Sequence, residues 1–183
     1  MANRILAFLL IIILAPLLML VAAIIIWDDR LPILFKQKRV GLNNSSFYVY
    51  KFRTMSRDMP DIPTHLVESQ DCIYTKSGPL LRKLSIDELP QLINIILGDM
   101  VFVGPRPALH NQTDLIELRT TVGVHYLTPG VTGWAQINGR DELSIPEKVH
   151  YDQYYLHNRS LLMDIRIILL TIYRVASMQG VSQ

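Results

Sequence analysis

The chain has 183 residues, half of them apolar, and 18 Lys and Arg against 16 Asp and Glu give a net charge of +2. That balance, with no basic stripe interleaved with aromatic residues, excludes a nucleic-acid-binding surface. The single cysteine, Cys72, excludes an intrachain disulfide, and the five histidines show no zinc-like ligand spacing.

Ile5 to Trp27 carries no charge, and a helix of about 23 residues is long enough for a hydrocarbon core of roughly 30 Å. A cleaved signal peptide does not fit, because Arg4 stands alone and Ala22-Ala23 is followed by more isoleucine and by Trp27. Pro16, at the midpoint, removes one backbone hydrogen bond and clashes with the carbonyl four residues earlier, so a kink is expected there. Each half is then about 16 Å long. Two courses fit: a kinked helix that spans, or a helix-break-helix hairpin that enters and leaves by one face. The positive-inside rule places the Arg30, Lys36, Lys38 and Arg39 flank in the cytoplasm, and Arg4 pulls the N-terminus weakly the same way. The expected division is a membrane-embedded segment over 1–29 and a cytoplasmic domain over 30–183. The second is long enough for one core.

Leu34 to Arg39 and Phe47 to Arg53 flank the turn-forming Gly41-Leu42-Asn43-Asn44-Ser45-Ser46 and predict a β-hairpin. An irregular loop is expected over 59–77, then short helices over Gly78 to Leu84 and His110 to Val122. Pro146 to His157 predicts a helix that gathers Tyr151, Tyr154 and Tyr155 for a core or an interface. Ser160 to Met178 is amphipathic, with Leu161, Leu162, Ile165, Ile168, Leu169, Ile172 and Val175 on a broad apolar face. That face suits packing on the domain's own core, a position in the membrane interface, or both.

Leu84-Ser85-Ile86-Asp87-Glu88-Leu89-Pro90-Gln91-Leu92 sets two carboxylates directly before a proline and an apolar run. Proline is best tolerated at the first position of a helix, so a helix should open at Pro90 and stop near Gly98, with Asp87 and Glu88 at its positive end. A bland alternative exists, since Ser85 and Glu88 have the S-x-x-E spacing of a capping box.

The context of this stretch adds to it. Upstream lies Lys51-Phe52-Arg53-Thr54-Met55. Downstream lie Gly98-Asp99-Met100, Phe102-Val103-Gly104-Pro105-Arg106-Pro107 and Pro129-Gly130-Val131-Thr132-Gly133-Trp134-Ala135-Gln136-Ile137-Asn138-Gly139-Arg140. In this order the motifs resemble the bacterial sugar transferase family, the small monotopic phosphoglycosyl transferases, over nearly the whole chain. The resemblance implies a mostly helical α+β fold in which a re-entrant anchor, a small β-hairpin and interfacial amphipathic helices surround a cytoplasmic catalytic site at the bacterial inner membrane. This chain departs from the family in having Ala15-Pro16 where a Ser-Pro pair breaks the re-entrant helix, and in a lead-in reduced to Asn3-Arg4.

The resemblance also implies transfer of a phospho-sugar from a nucleotide diphosphate sugar to polyprenol phosphate, usually undecaprenyl phosphate, with release of the nucleoside monophosphate. Such a reaction needs cations, magnesium, backbone donors and a nucleophile ionised at neutral pH. An aspartate meets the last need at its reference pKa of about 3.9. By resemblance Asp87 is the nucleophile, and Glu88 is a second essential carboxylate. Both are candidate ligands for Mg2+, which suits one or two carboxylates plus substrate phosphates. Lys51, Arg106 and Arg140 are candidate phosphate or carboxylate clamps. Arg53, Arg82, Gln136 and Asp152 complete the expected substrate-binding set, and Gly130, Gly133 and Gly139 could bring backbone N–H groups to phosphate. Two other classes compete: a magnesium-dependent phosphohydrolase of lipid or nucleotide phosphates, and a non-catalytic membrane adaptor whose carboxylates cap a helix.

Overall fold

The first helix, α1 (Ala2–Asp29), runs unbroken along one side of the remaining chain. The computed structural model describes residues 1–55, 74–139 and 142–177. Arg140 and most of the loop expected over 59–77 lie outside the described residues. After α1 come β1 (Leu34–Val40), β2 (Ser46–Phe52), α2 (Gly78–Lys83), α3 (Gln91–Leu97), β3 (Val101–Val103) and β4 (Ala108–Leu109). Then follow α4 (Thr113–Thr121), β5 (Gly130–Thr132), α5 (Trp134–Ile137), α6 (Ile145–Asn158) and α7 (Leu161–Ala176). The fold is mostly helical, with small sheets.

The two half-helices expected on either side of Pro16 are a single helical element. Pro16 itself is exposed, and apolar packing on both sides of it holds the helical course against a local cost of roughly 3 kcal/mol. Ala7 packs with Val49, Leu92, Ile95 and Met100, while Val21 and Ile25 pack with Phe52 and Leu81. Leu10, Ile11, Leu14, Leu18 and Ala22 extend this inner stripe. The opposite face leaves Phe8, Ile13, Met19, Leu20 and Trp27 exposed. By length and composition α1 is sufficient to cross a membrane.

The predicted hairpin forms, with Leu34 opposite Phe52 and Val40 opposite Ser46. Asn43 and Asn44 turn the chain at φ 53° and 59°, a conformation that asparagine tolerates better than most residues. β4 pairs with the free edge of β1, giving the order β2-β1-β4. β3 and β5 form a separate parallel pair.

That parallel pair explains the glycines of the two downstream motifs. Gly104 N–H donates to Thr132 O at 2.8 Å and Gly130 N–H to Pro105 O at 3.0 Å. A Cβ on Gly130 would stand 2.1 Å from Gly104 N, and one on Gly133 would stand 2.1 Å from Gly104 O. Glycine is needed here so that two backbones can touch. The Gly130 N–H expected to face phosphate is already engaged by Pro105.

α3 opens after Pro90 and ends at Gly98 (φ 97°), as predicted. Its Asn94 is fully buried and pairs with β2 like a strand residue. Asn94 Oδ1 accepts from Tyr50 N–H at 3.0 Å, and Nδ2 donates to Tyr48 O at 2.7 Å. The alternative, a capping box at Ser85, does not form. It occurs instead at α6, where Ser144 N–H and Oγ–H both donate to Glu147 Oε2. α7 turns Ile167, Met163 and Leu170 inward. Its Leu161, Leu162, Ile165, Leu169, Ile172 and Tyr173 stay exposed. Of the tyrosines, Tyr155 is core: its hydroxyl donates to Asp164 Oδ1 at 2.7 Å, and burial with that carboxylate pushes its pKa upward.

Candidate active site

Ser85 takes the left-handed conformation (φ 54°) at the end of α2 and starts the 3-10 turn Ile86–Glu88. Asp87 and Glu88 therefore sit in a turn of their own, one step before α3. Asp87 is buried at 7 % exposure. Lys51, on β2, places Nζ 2.8 Å from Glu88 Oε1, and Arg106, on the loop after β3, places Nη1 3.4 Å from the same oxygen. The Lys51 and Glu88 side chains are only 17 % and 12 % exposed, so solvent screens this pair less than a surface one. Arg82, on α2, donates to the Tyr74 hydroxyl at 2.9 Å and lies over the Tyr74 ring. Its charge reaches Asp87.

Burial pushes the Asp87 carboxyl above the usual aspartate range, and the adjacent Glu88 adds to the shift. Lys51, Arg82 and Arg106 oppose it. The ordinary pKa expected from sequence is thus raised, because the turn takes Asp87 out of water beside a like charge. Burial likewise lowers the Lys51 pKa, and Glu88 offsets part of that shift. Beside the pair, Lys51, Arg106, Arg39, Gln91, Pro107 and Gly130 line a small open cleft.

Five of the expected residues thus gather: Asp87, Glu88, Lys51, Arg82 and Arg106. Three others are engaged elsewhere. Arg53 is buried, donates from Nη2 to Asp29 O (2.6 Å) and Arg30 O (2.8 Å), and lies 3.0 Å from the Asp29 carboxylate. It fastens β2 to the end of α1. Gln136 donates to Val131 O at 3.0 Å and braces the turn between β5 and α5. Asp152 is buried and accepts from Arg119 Nε and Nη2 at 3.0 and 2.6 Å. Its carboxylate thus holds an arginine of α4.

Sequence reasoning missed Arg119, Arg39 and Asn94. Arg119 and Asp152 lie 33 positions apart on different helices, so no local spacing announces the pair. Arg39 was read only as a flanking charge, although strand alternation puts it on the Lys51 face of the hairpin. Among the described residues, no three His, Cys, Asp or Glu side chains gather to hold a metal. The two carboxylates of the turn still fit a hard, oxygen-preferring cation that takes its other ligands from substrate and water.

The site is a carboxylate pair beside the cationic Lys51, Arg82 and Arg106 on a mostly helical fold, and comparison with known proteins gives the family. The chain belongs to the bacterial sugar transferase family, whose model matches residues 1–178. By family it is an enzyme, a sugar transferase. It is 44% identical over 152 residues to the uncharacterized sugar transferase EpsL of Bacillus subtilis (strain 168), covering 83% of this chain and 74% of that one. It is 44% identical to the undecaprenyl-phosphate glucose phosphotransferase of Komagataeibacter xylinus, over 91% of this chain and 33% of that one. It is 36% identical to the UDP-glucose:undecaprenyl-phosphate glucose-1-phosphate transferase of Escherichia coli (strain K12), over 94% of this chain and 39% of that one. The chain thus spans about a third and about two fifths of the last two.

Proposed function

We propose that the chain transfers a phospho-sugar from a nucleotide diphosphate sugar, with uridine as the base, to undecaprenyl phosphate. The observation that carries this reading is Asp87, buried in its own turn beside a Glu88 held by Lys51 and Arg106. In the first step Asp87 Oδ attacks the phosphorus that bears the sugar. The bond from that phosphorus to the bridging oxygen breaks, and the nucleoside monophosphate leaves with the electron pair. In the second step a phosphate oxygen of the polyprenol phosphate attacks the same phosphorus and returns Asp87 as a carboxylate. A carboxylate suits this role because its phosphoryl ester is a reactive acyl phosphate.

Lys51, Arg82 and Arg106 outnumber the two carboxylates they surround. The described site therefore carries an excess positive charge, which favours a diphosphate. Arg106 is the phosphate clamp in this reading, because its planar fork matches phosphate oxygens. Glu88 and Asp87 would hold Mg2+, which neutralises phosphate charge when bound. Glu88 also keeps Lys51 and Arg106 aimed at the cleft.

The reading includes a monotopic anchor. The N-terminal end of α1 is tied to the domain through Arg4 Nη2, which donates to Leu97 O at 3.2 Å. The other end is tied through Asp28, which accepts from Ser77 N–H and Oγ–H, and through the Arg53 bonds. Two ends attached to one domain favour a helix that enters a leaflet and does not cross. The exposed apolar faces of α1 and α7 are the surfaces offered to lipid.

Acceptor dependence tests the function. A panel of nucleotide sugars is incubated with the full chain and magnesium, with and without undecaprenyl phosphate. Sustained release of nucleoside monophosphate only with the lipid supports the transferase. Sustained release without it would establish a phosphohydrolase.

A further inference from the structure

The segment that carries Arg106 reads Gly104-Pro105-Arg106-Pro107. Gly104 N–H anchors its start on Thr132 O, but the two prolines supply no N–H beyond it, so the stretch around Arg106 has few donors of its own. Its carbonyls are held from outside, one after another, by three elements. Pro105 O accepts from Gly130 N–H of β5 at 3.0 Å. Arg106 O accepts from Arg119 Nη1 of α4 at 2.8 Å. Pro107 O accepts from Arg39 Nη1 of β1 at 3.0 Å.

The two guanidinium groups are themselves held. Arg119 directs Nε and Nη2 to Asp152 Oδ2 at 3.0 and 2.6 Å, and Arg39 directs Nε and Nη2 to Gln37 Oε1, the first at 3.0 Å. One edge of each fork grips a side-chain acceptor, and the remaining nitrogen grips a backbone carbonyl. A lysine has a single nitrogen and cannot stand in both places.

We propose that Arg39, locked by Gln37, and Arg119, locked by Asp152, form a clasp on consecutive carbonyls that sets the Arg106 side chain over Glu88 and the cleft. All four are positioning residues that act through Arg106. The proposal rests on the reading of Arg106 as a phosphate clamp. It gives Asp152 a role that contact with substrate does not require. It also explains why the strand β1 pairs with the two-residue strand that directly follows the Arg106 loop, since Val40 lies opposite Ala108.

The test is a set of double-mutant cycles on the full chain in detergent. Gln37→Leu, Arg39→Lys and Asp152→Asn are each made alone and with Arg106→Lys. Nucleoside monophosphate release, with the donor found in the panel, gives kcat and KM, and calorimetry with UDP gives an affinity independent of turnover. Each single change should lower kcat/KM by about 10- to 100-fold, the scale of a displaced positioning group, and should weaken UDP binding. With Arg106→Lys present, the same changes should cost less than about 3-fold, the mark of groups that act through one residue. Equal losses in both backgrounds would overturn the clasp, as would an Arg39→Lys chain that no longer melts cooperatively. Wild-type kinetics in Arg106→Lys alone would instead refute the clamp reading on which the clasp depends.

Discussion

Lys51 Nζ stands 2.8 Å from Glu88 Oε1, and this pair joins the β-hairpin to the turn that carries Asp87. The hairpin contributes the cation and the turn contributes both carboxylates, so neither element makes the site alone. Lys51→Met leaves Glu88 with Arg106 and removes a charge that favours ionised Asp87. A loss of about 100-fold in kcat/KM is expected, comparable to removing one preorganised electrostatic group.

The same electrostatics predict a pH signature. The Asp87 pKa is raised by burial and by Glu88, so the acid limb of kcat/KM should fall above the ordinary aspartate value of about 3.9. In Lys51→Met that limb should move further up. The sign for stability is opposite. A raised folded pKa means that Asp87 favours folding below its unfolded pKa and opposes it as pH rises through the folded one. Asp87→Asn should therefore melt at a higher temperature than the wild type at pH 7, and the difference should shrink on acidification. A lower melting temperature for the variant at pH 7 would contradict this.

Asn94 makes a separate prediction about stability. Its side chain bridges Tyr50 N–H and Tyr48 O from a fully buried position. Asn94→Leu keeps the volume but strands both backbone groups, at about 2–4 kcal/mol in total. Thermal unfolding in detergent should show a clear loss, whereas an unchanged melting temperature would show that these bonds do not matter.

Much of this fold was legible in local sequence. The hairpin follows from its turn cluster, α3 from Pro90 and Gly98, and α7 from its apolar spacing. The turn at Asp87 was less so, because the left-handed Ser85 that separates it from α2 has no glycine to announce it. Lys51, Arg106 and the two carboxylates were readable as motif residues, Arg82 lies outside the motifs on the short helix before them, and the structure gathers all five. The tasks of Arg53 and Asp152 were not readable, since each bonds a partner more than twenty positions away. Pro16 misled in the other direction. Sequence shows what proline removes locally, while the Ala7 and Val21 contacts that sustain the helix come from tertiary packing.

The anchor reading is checked by labelling. With Cys72 replaced by serine, Asn3→Cys in intact cells should resist a membrane-impermeant thiol reagent added outside and react once the inner membrane is opened. Labelling from outside would show a spanning helix. It would also require the Arg4–Leu97 bond to be broken in the membrane.

Intact-protein mass spectrometry tests whether Asp87 carries the phospho-sugar between the two steps. The purified chain is mixed with its nucleotide sugar and magnesium in the absence of lipid acceptor, then quenched and mapped by peptide. A gain of one phospho-sugar on Asp87, one equivalent of nucleoside monophosphate, and loss of both signals in Asp87→Asn are expected. No adduct and no lipid-independent burst from an enzyme active with lipid, or an adduct on another residue, would contradict that role.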